Sequence, residues 1–350
     1  MRAGRRELLV FTAMVSLALG ACGGGSTSSG QPSSTDGGAG NPKVNLSLVA
    51  FSVPQTANAA LEASFAKTAE GQNTTWTESY GASGDQSRAV AGGLKADYVH
   101  FSLEGDVTRL VTAGLVADDW NKGPTKGIVS RSVVVIAVRK GNPKKITGWA
   151  DLTKPGIRIV TPNPGSSGSA RWNILAAYGS VLAGGGNDAQ ATDYLTAFFK
   201  NVVSLPGSGR DATTAFLAGT GDVLISYENE AILARQQGQD LDYIVPDTTI
   251  LIENPGAITK AADQRAVKWL DFVLSKPGQT EFVKRGFRPV IDVTGITVDK
   301  ANDPANPFPA PAKKLQTIAA DFGGWSAVNT KFFDATNGIV TTVQKASGKS

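Results

Sequence analysis

The sequence predicts an α/β protein folded as two lobes with a ligand cleft between them, and three observations lead there. Short runs of β-branched and apolar residues alternate with segments whose apolar residues recur at helical spacing, the pattern of strands alternating with helices. The chain has 350 residues; with its N-terminal segment set aside, about 308 residues of ordinary composition are too many for one small core and suit two lobes of about 150 each. Several strand-to-helix turns are glycine and serine, and in open α/β sheets ligands bind beyond the carboxyl ends of strands, where helix N-termini converge.

Taken in order, Arg2, Arg5 and Arg6 precede a mostly apolar run from Leu8 to Leu19 that is too short to span a bilayer, so residues 1–21 read as a secretion signal. The run ends in Leu19-Gly-Ala-Cys22, which looks like a lipobox: a bulky apolar residue, two small ones, then the cysteine that is lipidated and becomes the mature N-terminus. Cys22 is the only cysteine, so the mature chain has no disulfide; a free thiol exported by accident is the competing reading. Gly23 to Pro42 are mostly Gly, Ser, Thr, Pro and Gln with almost no apolar side chain, so residues 22–43 read as the lipidated cysteine and a flexible tether. Val44 to Phe51 then reads as a strand, and Ala57 to Ala69 as a helix with Leu61 and Phe65 on one face. Asp97 to Ser102 is a strand, Gly105 to Ala113 a helix, and Ser132 to Val138 and Ile157 to Val160 are strands. Ala170 to Leu182 is a helix with Ile174, Leu175, Tyr178, Val181 and Leu182 at helical spacing, stopped by Gly184-Gly-Gly186, and Ala191 to Phe199 is another. Lobe changeovers fall near Gly127 and Ile252, placing 44–127 and 253–350 in one lobe and 128–252 in the other.

The turn between Val160 and Ala170 is the most informative. Ser166 to Ser169 place hydroxyls and unpaired backbone N–H groups at the positive end of a helix dipole, a setting suited to phosphate, sulfate or carboxylate. A serine turn that caps the helix for stability alone is equally open. Three more turns share its character: Gly81-Ala-Ser-Gly84 before the helical segment Asp85 to Leu94, Pro206-Gly-Ser-Gly-Arg210 before Asp211 to Leu217, and Gly221 to Glu230, which carries a strand into a helix. Together they suggest a dianion enclosed by backbone amides from both lobes, without a matching cation.

Composition excludes several alternatives. Of the formal charge of +4, Arg2, Arg5, Arg6 and Glu7 of the signal supply +2, and the remaining Lys and Arg are scattered, so no nucleic-acid partner is expected. One histidine, and one cysteine that lipidation would occupy, give metal chemistry poor support, and no cofactor is expected. His100, in the apolar segment Tyr98-Val-His-Phe-Ser102, reads as structural.

Joint motifs then carry a family resemblance. Val138-Arg-Lys-Gly-Asn-Pro143, Trp149-Ala-Asp-Leu152, Lys154-Pro-Gly156, Thr161-Pro-Asn-Pro164, Ser166-Ser-Gly168 and Ala170-Arg-Trp-Asn173 form a central block. Gly221-Asp-Val-Leu-Ile225, Glu228-Asn-Glu230, Arg288-Pro289 and Phe322-Gly-Gly-Trp325 extend it. Over roughly Val44 to Phe333 the chain resembles the sulfate-binding proteins of ABC importers, two-lobed solute-binding proteins of the periplasmic type II kind. The resemblance implies sulfate held by neutral donors at Ser83, Ser167, Gly168, Ser169, Gly209 and Tyr227, with Arg171 and Arg210 supporting the binding loops; arginines merely facing solvent at helix starts are the alternative for those two. Ser169 stands where the family usually has glycine, Tyr227 where it commonly has tryptophan, and Val53 where many relatives have aspartate. Asp85 and Asp211 bring carboxylates near matched turns and are expected to point away from the ligand.

Sulfate is fully ionised at neutral pH, so a selective site holds donors only, whereas a buried carboxylate acceptor selects protonated phosphate. The matched positions contain no carboxylate, which favours sulfate or thiosulfate over phosphate; molybdate and tungstate differ mainly in size. The implied action is capture by lobe closure and delivery to a membrane permease, by a monomer held at the outer face of the cell membrane through lipid on Cys22. An exported hydrolase of sulfate or phosphate esters competes, with Ser167 as nominal nucleophile, but no histidine lies near it in sequence. A surface adhesin has the right anchor but no use for four anion-type turns.

Overall fold

The computed structural model describes residues 42–349; the signal segment, Cys22 and the tether through residue 41 lie outside the described residues. β1 (Val44–Phe51) is buried from Leu46 onward and leads into α1 (Gln55–Phe65), whose Ala57, Leu61 and Phe65 face the core at helical spacing. This helix stops short of Ala69 because Thr68 Oγ1 turns back onto the Phe65 carbonyl at 2.8 Å and accepts from Gly71 N–H at 3.0 Å, a local competitor for the helical bonds. β2 (Thr74–Gly81), α2 (Ser83–Ala91), β3 (Tyr98–His100) and α3 (Glu104–Thr112) follow. After β4 (Ile128–Arg139) and a 3₁₀ turn at Trp149–Thr153 come β5 (Ile159–Val160), α4 (Gly168–Ala183), α5 (Asp188–Asn201), β6 (Val202–Ser204), α6 (Gly209–Leu217), β7 (Val223–Tyr227), α7 (Glu228–Gln236) and β8 (Leu241–Ile244). β9 (Thr248–Ile258), α8 (Gln264–Leu274), α9 (Lys276–Lys284), β10 (Lys314–Gln316), α10 (Ile318–Phe322), α11 (Gly324–Phe333) and α12 (Ile339–Ser347) complete the described chain.

The strands run in the order β2-β1-β3-β9-β4-β7-β5-β6, with β8 paired to β4 and β10 to β9. β1 is parallel to β2 and β3, while β7, β5 and β6 are mutually parallel along the other flank. Two long antiparallel strands join the flanks. β4 pairs with β9 through its first half and with β7 and β8 through its second, and β9 passes on to β3 at Gly256 to Ile258. The turns after β1, β2 and β3 therefore meet those after β5, β6 and β7, because parallel strands within each flank deliver their carboxyl ends to one edge.

The expected strand Ser132 to Val138 is thus part of a longer one, and β9 is a strand that the alternation did not reveal. The end of the chain is also divided. α8 and α9 pack on α1, but α12 packs on α5 and β10 lies beside α4. Tyr178 meets Phe332 edge-on at 4.8 Å, Trp172 meets Trp325 at 4.8 Å, and Lys331 pairs with Asp188 at 2.7 Å. From Gly168 to Gly179, α4 is buried at every residue except Arg171, as expected of a helix enclosed on all sides. Gly179 lets β10 approach, since a Cβ there would lie 2.2 Å from Gln316 Oε1.

His100 is fully buried, with Nδ1 3.4 Å from Asn58 Oδ1, Nε2 3.2 Å from Ser130 Oγ and the Phe51 ring edge-on at 5.4 Å. Burial pushes its pKa down to about 3, so it is neutral and structural. Glu62 on α1 behaves oppositely: burial, then the charge of Glu78 and a hydrogen bond shared with it, push its carboxyl up to about 8. A folded-state pKa above the unfolded value stabilises fully at low pH and is lost as pH rises through it. Unfolding in urea is therefore expected to show stability falling between about pH 4.5 and 8 by about 1–3 kcal/mol, and Glu62→Gln to flatten that slope. An equal slope in the variant overturns the assignment.

Candidate functional site

The loop from Thr161 to Ser167 is folded around Asn163. Its N–H donates to Pro206 O at 2.8 Å, its carbonyl accepts from Ser166 and Ser167 N–H at 3.3 and 2.8 Å, and its Oδ1 accepts from Gly165 N–H at 2.8 Å. Ser167 then stands at the N-cap of α4 with extended backbone and no side-chain capping bond. By contrast Ser208 caps α6 by accepting from Asp211 N–H, and Asn187 caps α5 reciprocally with Gln190. The hydroxyl of Ser167 is thus not spent on capping. α2 and α7 also begin without a side-chain cap, on Ala82 and Tyr227.

These helix starts meet across the two flanks. Ser83 Oγ donates to Asp106 Oδ2 at 2.6 Å and accepts from Ser102 N–H at 2.9 Å, and Ser102 Oγ lies 2.8 Å from Tyr227 Oη. The Ser102 carbonyl accepts from Trp172 Nε1 at 3.0 Å and Asn254 Nδ2 at 3.1 Å. Gly168 lies so close that a Cβ would fall 2.7 Å from Ser102 Oγ, and a Cβ on Gly209 would fall 2.8 Å from Ser169 Oγ and 3.1 Å from Val53 Cγ2. Gly84 N–H donates to Ser166 O at 3.3 Å. Ser83, Ser102, Ser167, Ser169 and Tyr227 are all less than 5% exposed. Burial raises the Tyr227 phenol, while hydrogen bonds to Ser102, Ser169 and Asn254 act the other way; it is neutral and keeps its O–H proton.

Ser83, Gly168, Ser169, Gly209 and Tyr227, predicted from the sequence, are thus drawn to one junction, with Ser167 beside Gly168. Arg171 and Arg210 brace it from behind. Arg171 reaches Pro164 O at 3.4 Å and Asn329 Oδ1 at 3.0 Å and stacks on Phe333 at 4.6 Å. Arg210 Nη2 donates to Val53 O at 2.9 Å and to Glu230 Oε1 at 2.7 Å. Asp85 pairs with Arg88 at the surface, and Asp211 accepts from Ser208 Oγ at 2.8 Å, so both are engaged elsewhere.

Three contributors escaped sequence reasoning. Ser102 lies just past the end of β3 and Asn254 inside β9, and their neighbours become visible only in the assembled sheet. Asp106 is a buried carboxylate one hydrogen bond behind Ser83, but both its oxygens are occupied, Oδ2 by Ser83 and Oδ1 by Arg109 at 3.0 Å. Its only sequence cue was an acidic residue in the first turn of a helix, the ordinary complement to the dipole. Among the described residues no cluster of three or more His, Cys, Asp or Glu side chains could hold a metal. No helix among them is long and apolar enough to cross a membrane.

Two parallel strand groups joined by a pair of long strands, with uncapped helix starts closing on one enclosed polar junction, define a binding protein for a small solute. The chain belongs to the bacterial extracellular solute-binding protein family, whose model matches residues 46–288, and its fold is the two-lobed α/β fold of such proteins. It is 40% identical over 344 residues, 94% of each chain, to a sulfate-binding protein of Synechococcus elongatus. It is 34% identical over 291 residues, 79% of this chain and 83% of the other, to a thiosulfate-binding protein of Escherichia coli. Among solved structures, the sulfate-binding protein SubI of Mycobacterium tuberculosis superposes with a TM-score of 0.77 at 44% identity, covering 83% of this chain and all of that one.

Proposed function

We propose that this chain is an extracytoplasmic substrate-binding lipoprotein that captures sulfate, or thiosulfate, between its lobes and hands it to the permease of an ABC importer. The observation that carries this reading is the junction itself: buried hydroxyls and helix-start amides from both flanks, with the nearest carboxylate, Asp106, already satisfied on both oxygens. A fully ionised dianion suits such a donor set, whereas a protonated one finds no free acceptor. The relatives named for sulfate and thiosulfate support it. Ser83, Ser167, Gly168, Ser169, Gly209 and Tyr227 are the proposed ligand contacts, and Ser83 must turn its proton from Asp106 toward the anion. Arg171 and Arg210 act by holding the loops.

The lobes are proposed as 44–127 with the chain from 253 through α9, and 128–252 with β10 and α10 to α12, since those last elements pack on α4 and α5. Closure about β4 and β9 brings the lobes together on the ligand. Lipid on Cys22 keeps the protein, as a monomer, beside its permease, with the tether setting its reach.

Calorimetric titration with sulfate, thiosulfate, molybdate, tungstate and phosphate at constant pH tests the ligand. Sulfate or thiosulfate is expected to bind most tightly, and tighter phosphate, molybdate or tungstate overturns the assignment. Ser167→Ala is expected to weaken sulfate by about 1.5–3 kcal/mol, the worth of a hydrogen bond to a charged group; unchanged affinity removes Ser167 from the site. No turnover of a chromogenic sulfate or phosphate ester is expected.

A further inference from the structure

Outside the enclosed junction, a cavity of about 260 Å³ opens to solvent between α2, α3, the Thr161 to Ser167 loop and α11. Its lining includes Arg88, Arg109 and Arg171, three cations from three different helices, with Asp106 and Asn329. Ser167 and Gly168, two of the proposed inner contacts, line it too, so the cavity adjoins the junction directly and shares that wall with it. Carboxylates offset part of this charge: Arg88 pairs with Asp85, and Arg109 with Asp106 at 3.0 Å. The guanidiniums still outnumber them. Arg171 has Arg88 and Arg109 as cationic neighbours and only Asp106 as an opposing charge. Its hydrogen bonds use Nε and Nη1, those of Arg109 use Nη1, and that of Arg88 uses Nη2, which leaves N–H donors on all three without a protein acceptor.

We propose that this cavity is a second, outer anion site, a vestibule in which a tetrahedral oxyanion dianion is first held before passing to the inner junction. The inference rests on the oxyanion reading of the inner site and adds to it the cations that the inner site lacks. Converging guanidiniums in a partly desolvated cleft concentrate dianions and speed their encounter. An inner site built from neutral donors holds its ligand by geometry and has no such reach. Asp106 connects the two, because the carboxylate that Arg109 holds on the vestibule side is the one that accepts the Ser83 hydrogen bond on the inner side. An anion that engages Arg109 competes with Asp106 for it and loosens the arrangement that keeps Ser83 turned from the ligand.

The test is stopped-flow capture of sulfate by the purified protein, read by tryptophan fluorescence at low and high ionic strength. Arg88→Gln lies outside the inner site and is expected to lower the association rate three- to tenfold at low salt, with the dissociation rate within twofold and the difference vanishing at high salt. Lys276→Gln, an exposed cation on α9, is the control and is expected to leave the rate unchanged. An association rate unaltered by Arg88→Gln, or lowered equally by Lys276→Gln, overturns the vestibule. Sulfate affinity of the unmodified protein reads the inner site separately. Should sulfate not bind there, the sulfate reading fails, and selenate diffused into crystals decides the vestibule alone: an anomalous peak among Arg88, Arg109 and Arg171 sustains it, and an empty cavity refutes it.

Discussion

Arg210→Met is expected to cost about 3–5 kcal/mol of folding stability at neutral pH, the largest effect of any single change near the site. Glu230 is 2% exposed and Arg210 24% exposed, with 2.7 Å between them, and Thr213 Oγ1 adds a bond to the other carboxylate oxygen at 3.0 Å. Removing the guanidinium leaves a buried carboxylate with one neutral donor and strips the Val53 carbonyl of its partner. Desolvation already raises the Glu230 pKa against the pull of Arg210. Without that pull it rises further, and a carboxyl whose folded pKa exceeds its unfolded value stabilises most at low pH. The deficit is therefore expected to shrink as pH is lowered toward 5, measured by urea unfolding across pH. A loss that is the same at every pH would assign the effect to packing rather than to an unpaired charge. Arg210→Lys keeps the charge but not the fork that spans Glu230 and Val53, and is expected to recover only part of the loss.

Gly168→Ala is expected to weaken sulfate by about 1–3 kcal/mol, five- to 150-fold, while leaving secondary structure intact. The added methyl would lie 2.6 Å from Ser102 Cβ, 2.7 Å from its Oγ and 2.9 Å from Leu103 Cγ. All three atoms belong to the opposite strand group, so the methyl acts as a wedge between the flanks. Ser102→Gly removes two of these contacts and is expected to recover affinity when combined with Gly168→Ala, although alone it loses the Tyr227 contact. Calorimetry on the four proteins of this cycle measures the coupling, and simple additivity would place the wedge elsewhere.

Local chemistry made much of the fold readable. The β-branched run of β1 and the spacing of Leu61 and Phe65 in α1 are properties of adjacent residues, and they emerge at or near the expected positions. β9 is a less obvious case. Thr248 to Ile252 has the composition of a strand, but Glu253-Asn-Pro-Gly256 reads as a turn, and only pairing with both β4 and β3 keeps it extended. The C-terminal helices are harder still, because an apolar face shows that something covers it without showing what. Phe332 and Trp325 could have packed on either flank; Tyr178 and Trp172 are what they meet.

For the site, the sequence by itself determined the chemical type: serines and glycines at helix starts, few groups able to bind metal, and motifs shared with a known family. Those are short-range facts about which donors a turn can offer. Tertiary structure alone decided which donors are free. It showed Ser167 uncapped while Ser208 is committed to its own helix, and Ser83 tied to Asp106. It also set Tyr227 against Ser102, which lies 125 residues away in the chain. Whether a hydroxyl faces a ligand or a neighbour depends on distances between segments remote in sequence, and those distances exist only once β4 and β9 have joined the two flanks.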